Sequence, residues 1–228
     1  MTITLITGAN KGLGYETARQ LIERGHTVYV GARDRERGEA AAASLGGRFV
    51  QLDVTDDASV ETALGVIAER EGHLDVLVNN AGVSAWGDVT GPVATQVFDT
   101  NVVGVIRVTQ AALPLLEQSE NPVVVNVSSA LGSFWAVTNP ERRQFHFPSI
   151  VYGSSKAAVS MLTVQYAKTY PGMKFNAVEP GFTATELTPF SDAGQPVELG
   201  AEVIVRMASI GGDGPTGTFW EGDHEFAW

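Results

Sequence analysis

The 228-residue sequence contains no cysteine, which excludes disulfides, thiolate nucleophiles and Cys-ligated zinc. Its four histidines, His26, His73, His146 and His224, are scattered and form no local metal motif, so no metal site is expected. Basic residues are scarce as well: 15 Lys and Arg stand against 26 Asp and Glu, a net charge of −11. Such a chain repels phosphate backbones and anionic lipid at long range, which argues against nucleic-acid and membrane partners. No apolar run approaches the roughly 18 residues needed to cross a bilayer. The opening MTITLITGAN has no basic leader before its apolar stretch meets a glycine turn, so a cytoplasmic location is the expectation. What the chain does have is apolar mass: 44% hydrophobic residues suffice for a core without covalent staples and exclude disorder. No repeat or low-complexity linker interrupts it, and α/β chains of this length often form one unit, so residues 1–228 are expected to be a single domain.

Short β-branched runs recur at Thr2–Thr7, Thr27–Gly31, Arg48–Leu52, Leu74–Asn79, Val123–Ser128 and Met173–Glu179, with longer amphipathic stretches between them. Strands alternating with helices imply crossover units. LDVLV and VVVNV are nearly continuous in apolar residues, as parallel strands covered on both faces require. Leu13, Thr17, Leu21 and Ile22 mark the inner face of one helix, which Gly25 ends, and Val60, Leu64, Ile67 and Ala68 mark another. Further helices are predicted from Val93 to Gln118 and from Ile150 to Lys168. The fold class is therefore α/β, a doubly wound Rossmann fold whose central parallel sheet has about seven strands flanked by helices. Gly132 to Ser149 and Thr183 to Gln195 are the least regular stretches. Both follow strand ends, where open parallel sheets bind ligands.

The first strand runs into Thr7-Gly8-Ala9-Asn10-Lys11-Gly12-Leu13-Gly14, and a helix follows. Gly8 permits the tight turn, Gly12 lets backbone approach a ligand, and Gly14 lets helix and strand pack closely. Free amides at the helix start and the helix dipole favour an anion there, and a pyrophosphate fits. Taken alone, the triplet is also compatible with a plain strand-to-helix turn, and its GxxxGxG spacing departs from GxGxxG.

That spacing resembles the cofactor motif of the short-chain dehydrogenase/reductase family. Further motifs of the family follow in order: LDVTD at Leu52, NNAG at Asn79, Asn101 in a helix, VNVSS ending at Ser129, YGSSK from Tyr152 to Lys156, and PGFTAT at Pro180. NKGLG, GARDRERG and the ending GPTGTFWEGD are most similar to its carbonyl-reductase-like members. The resemblance implies cofactor contacts from Gly8, Asn10, Lys11, Gly12, Leu13 and Gly14. It implies others from Asp53 on the adenine amine, with Val54 against the ring, and from Asn79, Ala81 and Gly82 beside the ribose. Pro180, Gly181 and Thr185 are further contacts, with Thr183 as a substitute for Thr185 at the nicotinamide carboxamide. Where members selective for NAD carry an acid, this chain has Ala32. Arg33 offers a planar donor fork suited to a 2′-phosphate and Lys11 can reach the same group, so NADPH is expected over NAD. Asp34 can compete for Arg33.

Tyr152 and Lys156 are four residues apart, which on a helix places them on one face. In an arbitrary sequence this pair would be an ordinary surface feature. Here a nearby ammonium is expected to lower the phenol pKa from about 10, and the resemblance implies that Lys156 also binds the nicotinamide ribose. Ser129 follows the VVVNV strand and is the donor to the substrate oxygen on the family pattern, while Ser128 points elsewhere if the strand alternates. Asn101 sits in the apolar segment TNVVGVI, where asparagine has poor helix propensity. In the family it anchors a water linked to the lysine, and a buried amide joining two helices is the competing role. The expected reaction is reduction of an aldehyde or ketone, with NADPH giving hydride to carbon and Tyr152 giving a proton to oxygen.

Between Ser129 and Tyr152 lies an insertion, SFWAVTNPERRQFHFPS. In carbonyl-reductase-like relatives such an insertion covers the tetramer surface, which implies a monomer or homodimer. Phe134, Trp135, Phe145 and Phe147 can equally wall a hydrophobic pocket, and Arg142 and Arg143 are expected to be solvated. The segment after Pro180 is short, so the site is expected to be open, with Trp86, Phe134 and Phe190 as walls and apolar or aromatic carbonyls as substrates. Two other functions compete. Reduction of 3-oxoacyl chains on an acidic acyl carrier would require a basic patch, which the sequence does not display. A non-catalytic NADPH sensor would not require Ser129, Tyr152 and Lys156 together.

Overall fold

The computed structural model describes residues 1–85, 87–187 and 193–228. Six strands coincide with the apolar runs: β1 (Ile3–Thr7), β2 (Thr27–Ala32), β3 (Arg48–Gln51), β4 (Val76–Asn79), β5 (Val123–Val127) and β6 (Lys174–Glu179). Two more close the sheet, β7 (Phe219–Glu221) and β8 (His224–Glu225), giving the order β3-β2-β1-β4-β5-β6-β7-β8. The expectation of about seven parallel strands is thus met by seven. An eighth, antiparallel strand is added through the hairpin at Gly222. Neighbours run 2-1-4 at the centre, so chain direction across the sheet reverses beside β1, and the crevice over the carboxyl ends of β1 and β4 is the ligand position of such sheets.

Helices cover both faces because successive strand residues point to opposite sides. Leu5, Leu77, Val124 and Phe175 pack with α3 (Asp57–Glu71), α5 (Gly104–Leu116) and α7 (Ile150–Thr169). Ile6, Val78, Val125 and Val178 pack with α1 (Gly12–Glu23), α2 (Arg35–Leu45) and α8 (Val197–Ala208). Asp34 and Asp56 cap α2 and α3 by accepting from backbone amides, and Gly46 and Gly72 end those helices in the left-handed conformation. The helix predicted from Val93 to Gln118 is not continuous. It divides into α4 (Gly91–Phe98), a π-turn at Asp99–Val103 and α5, and that turn carries Asn101. Among the described residues no helix is long and apolar enough to cross a membrane.

The insertion before Tyr152 contains a short helix, α6 (Phe134–Thr138), and is tied to the last residues of the chain. Ser133 Oγ donates to Ala227 O at 2.7 Å and Trp135 N donates to Trp228 O at 3.1 Å. Phe226 meets Trp135 edge to face, and Arg142 lies over both rings while pairing with Glu221 at 3.2 Å. Arg142 is therefore not the solvated charge expected from sequence: cation–π contacts and an ion pair hold it in place.

Candidate active site

The glycine turn and the turn after β4 brace each other. Thr7 Oγ1 accepts from Asn80 N at 3.0 Å and Ala81 N at 2.9 Å, and Asn80 Nδ2 donates back to Thr7 O and Gly8 O. Gly8 and Gly12 have left-handed φ values of 64° and 55°. A Cβ at Gly14 would lie 2.7 Å from Gly8 O, so only glycine allows α1 this close to β1. No side chain caps α1. Its first amides, backed by the helix dipole, suit a pyrophosphate. Asn10 and Gly12 line the turn, while Leu13 packs partly buried against the core on the α8 side. Asn79 does not point into this crevice. It is buried, and its amide donates to Thr109 Oγ1 and Asn126 Oδ1 within the sheet-to-helix layer. Its side chain ties β4 to β5 and to α5.

At the end of β2, Arg33 is 80% exposed and its Nε lies 4.0 Å from Asp53 Oδ2, whose other oxygen is bound by Thr55. Val54 is buried against Gly104. Asp34 does not compete for Arg33, because it caps α2 and faces Arg37 at 3.9 Å. Beside them opens a groove of about 610 Å³ lined by Lys11, Tyr15, Arg37, Ser44 and Glu186 among others. Lys11 is paired there with Glu186. Arg37 was not singled out from sequence. Its signal is the spacing of Arg33 and Arg37 across the strand-to-helix turn, which brings both to the carboxyl edge of the sheet.

The four chemical residues come from three elements and converge on one place. Lys156, on α7, is buried and donates from Nζ to Val127 O at 2.7 Å, with Nζ 5.6 Å from the Tyr152 ring centre. A Cβ on Gly82 would sit 3.4 Å from Asn101 Oδ1 and 3.7 Å from Lys156 Nζ, so the β4 turn touches both. Asn101 is fully buried in its π-turn, a common setting for functional residues. Its amide accepts from Val83 N and donates to Val83 O and Ser155 Oγ. The buried joining role named as the competitor is thus filled. Ser129 Oγ caps the turn Ala130–Gly132 by accepting from Leu131 N at 3.2 Å, and its hydroxyl acts on the Tyr152 phenol. Ser128 points away, bonding Lys156 O and Ser160.

The electrostatics differ from the sequence expectation. Burial, and then the Glu179 carboxylate, push the Tyr152 phenol above its ordinary value, and only Ser129 pulls it down. Lys156 keeps its Nζ on Val127 O at 2.7 Å, with the Tyr152 ring centre 5.6 Å away. Burial instead pulls Lys156 down to about 8, with Glu179 acting in the opposite direction.

Glu179 is the residue that sequence reasoning passed over. It ends β6 with its carboxylate buried and accepting from Ala130 N. The signal was an acid closing a buried strand at the carboxyl edge of the sheet, ahead of Pro180-Gly181. Beyond it, Thr183 is buried and bonds Pro180 O, with Gln195 beside it, so it anchors the base of the segment. Thr185 instead faces Gly12, 3.6 Å from where a Cβ would be. Phe134, Phe145 and Phe147 are exposed rather than gathered into a wall, and Trp86 and Phe190 lie outside the described residues. No group of three or more His, Asp or Glu suited to a metal occurs among the described residues.

The sequence matches the family model for short chain dehydrogenase over residues 2–195. It is 33% identical to (−)-isopiperitenone reductase from Mentha piperita, covering 98% of this chain and 97% of the relative. That alignment runs over 305 residues, so the relative carries segments that this 228-residue chain lacks. Among solved structures, salutaridine reductase from Papaver somniferum superposes with a TM-score of 0.82 at 29% identity, over 96% of this chain and 99% of that one. An NADPH-bound carbonyl reductase from chicken fatty liver shares the fold over the full length of both chains, with a TM-score of 0.86 at 24% identity.

Proposed function

This chain belongs to the short-chain dehydrogenase family, and from that premise we propose that it is an NADPH-dependent reductase of aldehydes and ketones of the carbonyl-reductase type. Members of the family are oxidoreductases that use a nicotinamide cofactor, and the reductases among its relatives act on small carbonyl compounds. The observation that carries the finer reading is the convergence of Ser129, Tyr152 and Lys156 at the carboxyl edge of the sheet, beside an uncapped helix start.

The residues present fit the cofactor. The free amides of α1 suit the pyrophosphate, and Lys11 and Arg37, which line the groove beside it, together with Arg33 at the end of β2 would supply the cations for a 2′-phosphate. Lys156 has one of its three donors on Val127 O and offers the others to ribose hydroxyls. When bound, a reduced nicotinamide supplies the hydride that adds to the carbonyl carbon. Tyr152 holds the proton for the oxygen: with its pKa raised by burial and by Glu179, it stays a phenol at neutral pH and acts as donor. Ser129 orients the carbonyl by donating to its oxygen. Asn101 fixes the β4 turn and, through Ser155, the helix that carries Tyr152 and Lys156.

The activity test is a panel of aldehydes and ketones followed by NADPH absorbance. Arg33→Asp should move the ratio of catalytic efficiencies toward NADH by roughly 10- to 100-fold, the range of a charge-assisted hydrogen bond replaced by repulsion. Arg37→Ala should move it less, in the same direction. A wild type that already prefers NADH would remove the basis for this assignment.

A further inference from the structure

The groove beside the glycine turn is lined by two cations and one acid: Lys11 from that turn, Arg37 from α2, and Glu186 from the segment after β6. Glu186 reaches this place from 175 positions along the chain, and its carboxylate accepts from Lys11 Nζ. The pair lies open to water, with 53% of the Lys11 side chain and 77% of the Glu186 side chain exposed. The residues on either side of Glu186 are docked. Thr185 lies against Gly12, and Leu187 O accepts from Ser84 Oγ. Glu186 can therefore leave Lys11 by rotating its own side chain between staggered states, while its neighbours stay in place.

We propose that Glu186 is a selectivity residue built into the chain as a rival anion: its carboxylate occupies the ammonium that a 2′-phosphate needs, and NADPH must displace it to bind. This role rests on the NADPH reading given above. A lysine ammonium is a compact point charge, so two anions that share it also face each other at short range. A phosphate monoester carries a charge of about −1.5 to −2 at neutral pH and outweighs a single carboxylate. The exchange therefore runs in favour of the phosphate, but its cost is subtracted from NADPH affinity. NADH presents a neutral hydroxyl at the same place and leaves the ion pair intact. Glu186 thus narrows a preference that Lys11, Arg33 and Arg37 would otherwise make wider.

The neighbouring acids are engaged with other partners. Asp34 caps α2 and faces Arg37 at 3.9 Å, and Asp53 accepts from Thr55 and lies 4.0 Å from Arg33 Nε. Glu186 is the acid that meets Lys11. It is ionised at neutral pH: the hydrogen bond and charge of Lys11, with a smaller contribution from Arg37, hold its carboxyl below the usual carboxylate range.

The test is calorimetric titration of the protein with NADPH, NADH, adenosine 2′,5′-bisphosphate and AMP at low ionic strength, where exposed charges count most. The two fragments isolate the 2′-phosphate from the rest of the cofactor. Glu186→Gln keeps the length of the side chain and removes its charge. It should tighten NADPH and the bisphosphate about two- to fivefold, the range of one exposed ion pair, and leave NADH and AMP unchanged. In a Lys11→Met background that gain should largely vanish, because no ammonium remains for Glu186 to occupy. Equal tightening of NADH, or a gain that survives Lys11→Met in full, would reveal a general effect of net charge and overturn the proposal. Weaker binding of both cofactors to Glu186→Gln would overturn it too, since the pair would then be a clasp over the bound molecule. If the wild type prefers NADPH while Glu186→Gln binds all four ligands as it does, only the role of Glu186 fails. If the wild type binds NADPH no tighter than NADH, the NADPH reading fails and Glu186 with it.

Discussion

Tyr152→Phe should bind NADPH nearly as the wild type does and reduce carbonyls about 10²- to 10⁴-fold more slowly, the range attributable to a positioned acid. The substitution removes one oxygen and leaves the ring, which packs 5.6 Å from the ammonium of Lys156. No hydrogen bond that holds the fold passes through that oxygen among the described residues, and Ser129 alone acts to lower its pKa. In the function proposed above, cofactor affinity would depend on the amides of α1 and on the cations at Lys11, Arg33 and Arg37, which lie away from that oxygen. A stopped-flow titration of NADPH fluorescence and steady-state rates on one aldehyde separate the two effects. Retention of turnover would show that the proton comes from elsewhere.

Gly132→Ala should be nearly as damaging by a different route. Gly132 closes the short turn that begins at Ser129, and it is buried under α7. A Cβ there would lie 2.5 Å from both Ala157 N and Lys156 C, backbone atoms that cannot swing aside as a side chain can. Relief requires the turn or the helix to shift. Overpacking of this kind costs about 1–3 kcal/mol. The separation forced between Ser129 and the Tyr152–Lys156 pair matters more, since a displacement near 1 Å can lower rates about 100-fold. A melting temperature reduced by a few degrees together with a large loss of kcat is the expected pair of results. A variant matching the wild type in both would mean that the turn and the helix are not tightly packed in solution.

Much of this was readable beforehand, for identifiable reasons. Strands β1 to β6 are apolar runs bounded by turn residues, and parallel strands buried on both faces display that pattern strongly. β7 and β8 contain three and two residues and have no periodicity to detect. The π-turn was hidden because Val93 to Gln118 keeps helical spacing on both sides of it, and only the misplaced Asn101 hinted at a break. The inward turn of the Asn79 side chain was not evident because its neighbour Asn80 serves the turn, and alternation along a strand sends adjacent side chains to opposite sides. Arg37 and Glu179 escaped notice because their importance comes from neighbours far along the chain: Glu186 and Lys11 for one, Ala130 and Tyr152 for the other. The sense of the shift at Tyr152 depended on burial, which spacing along a helix does not encode.

The tether between the insertion and the chain's last residues bears on how variants of this protein should be built. Ser133, Trp135 and Arg142 reach across about ninety positions of sequence to Glu221 and to Phe226–Trp228. The two segments therefore behave as one exchangeable module. A chimera that imports a relative's insertion without its tail would take from Phe226 the Trp135 ring and from Ala227 O the Ser133 hydroxyl donor, and a tail swapped alone would strip the insertion of its anchor. Grafts aimed at new substrates should carry both pieces together.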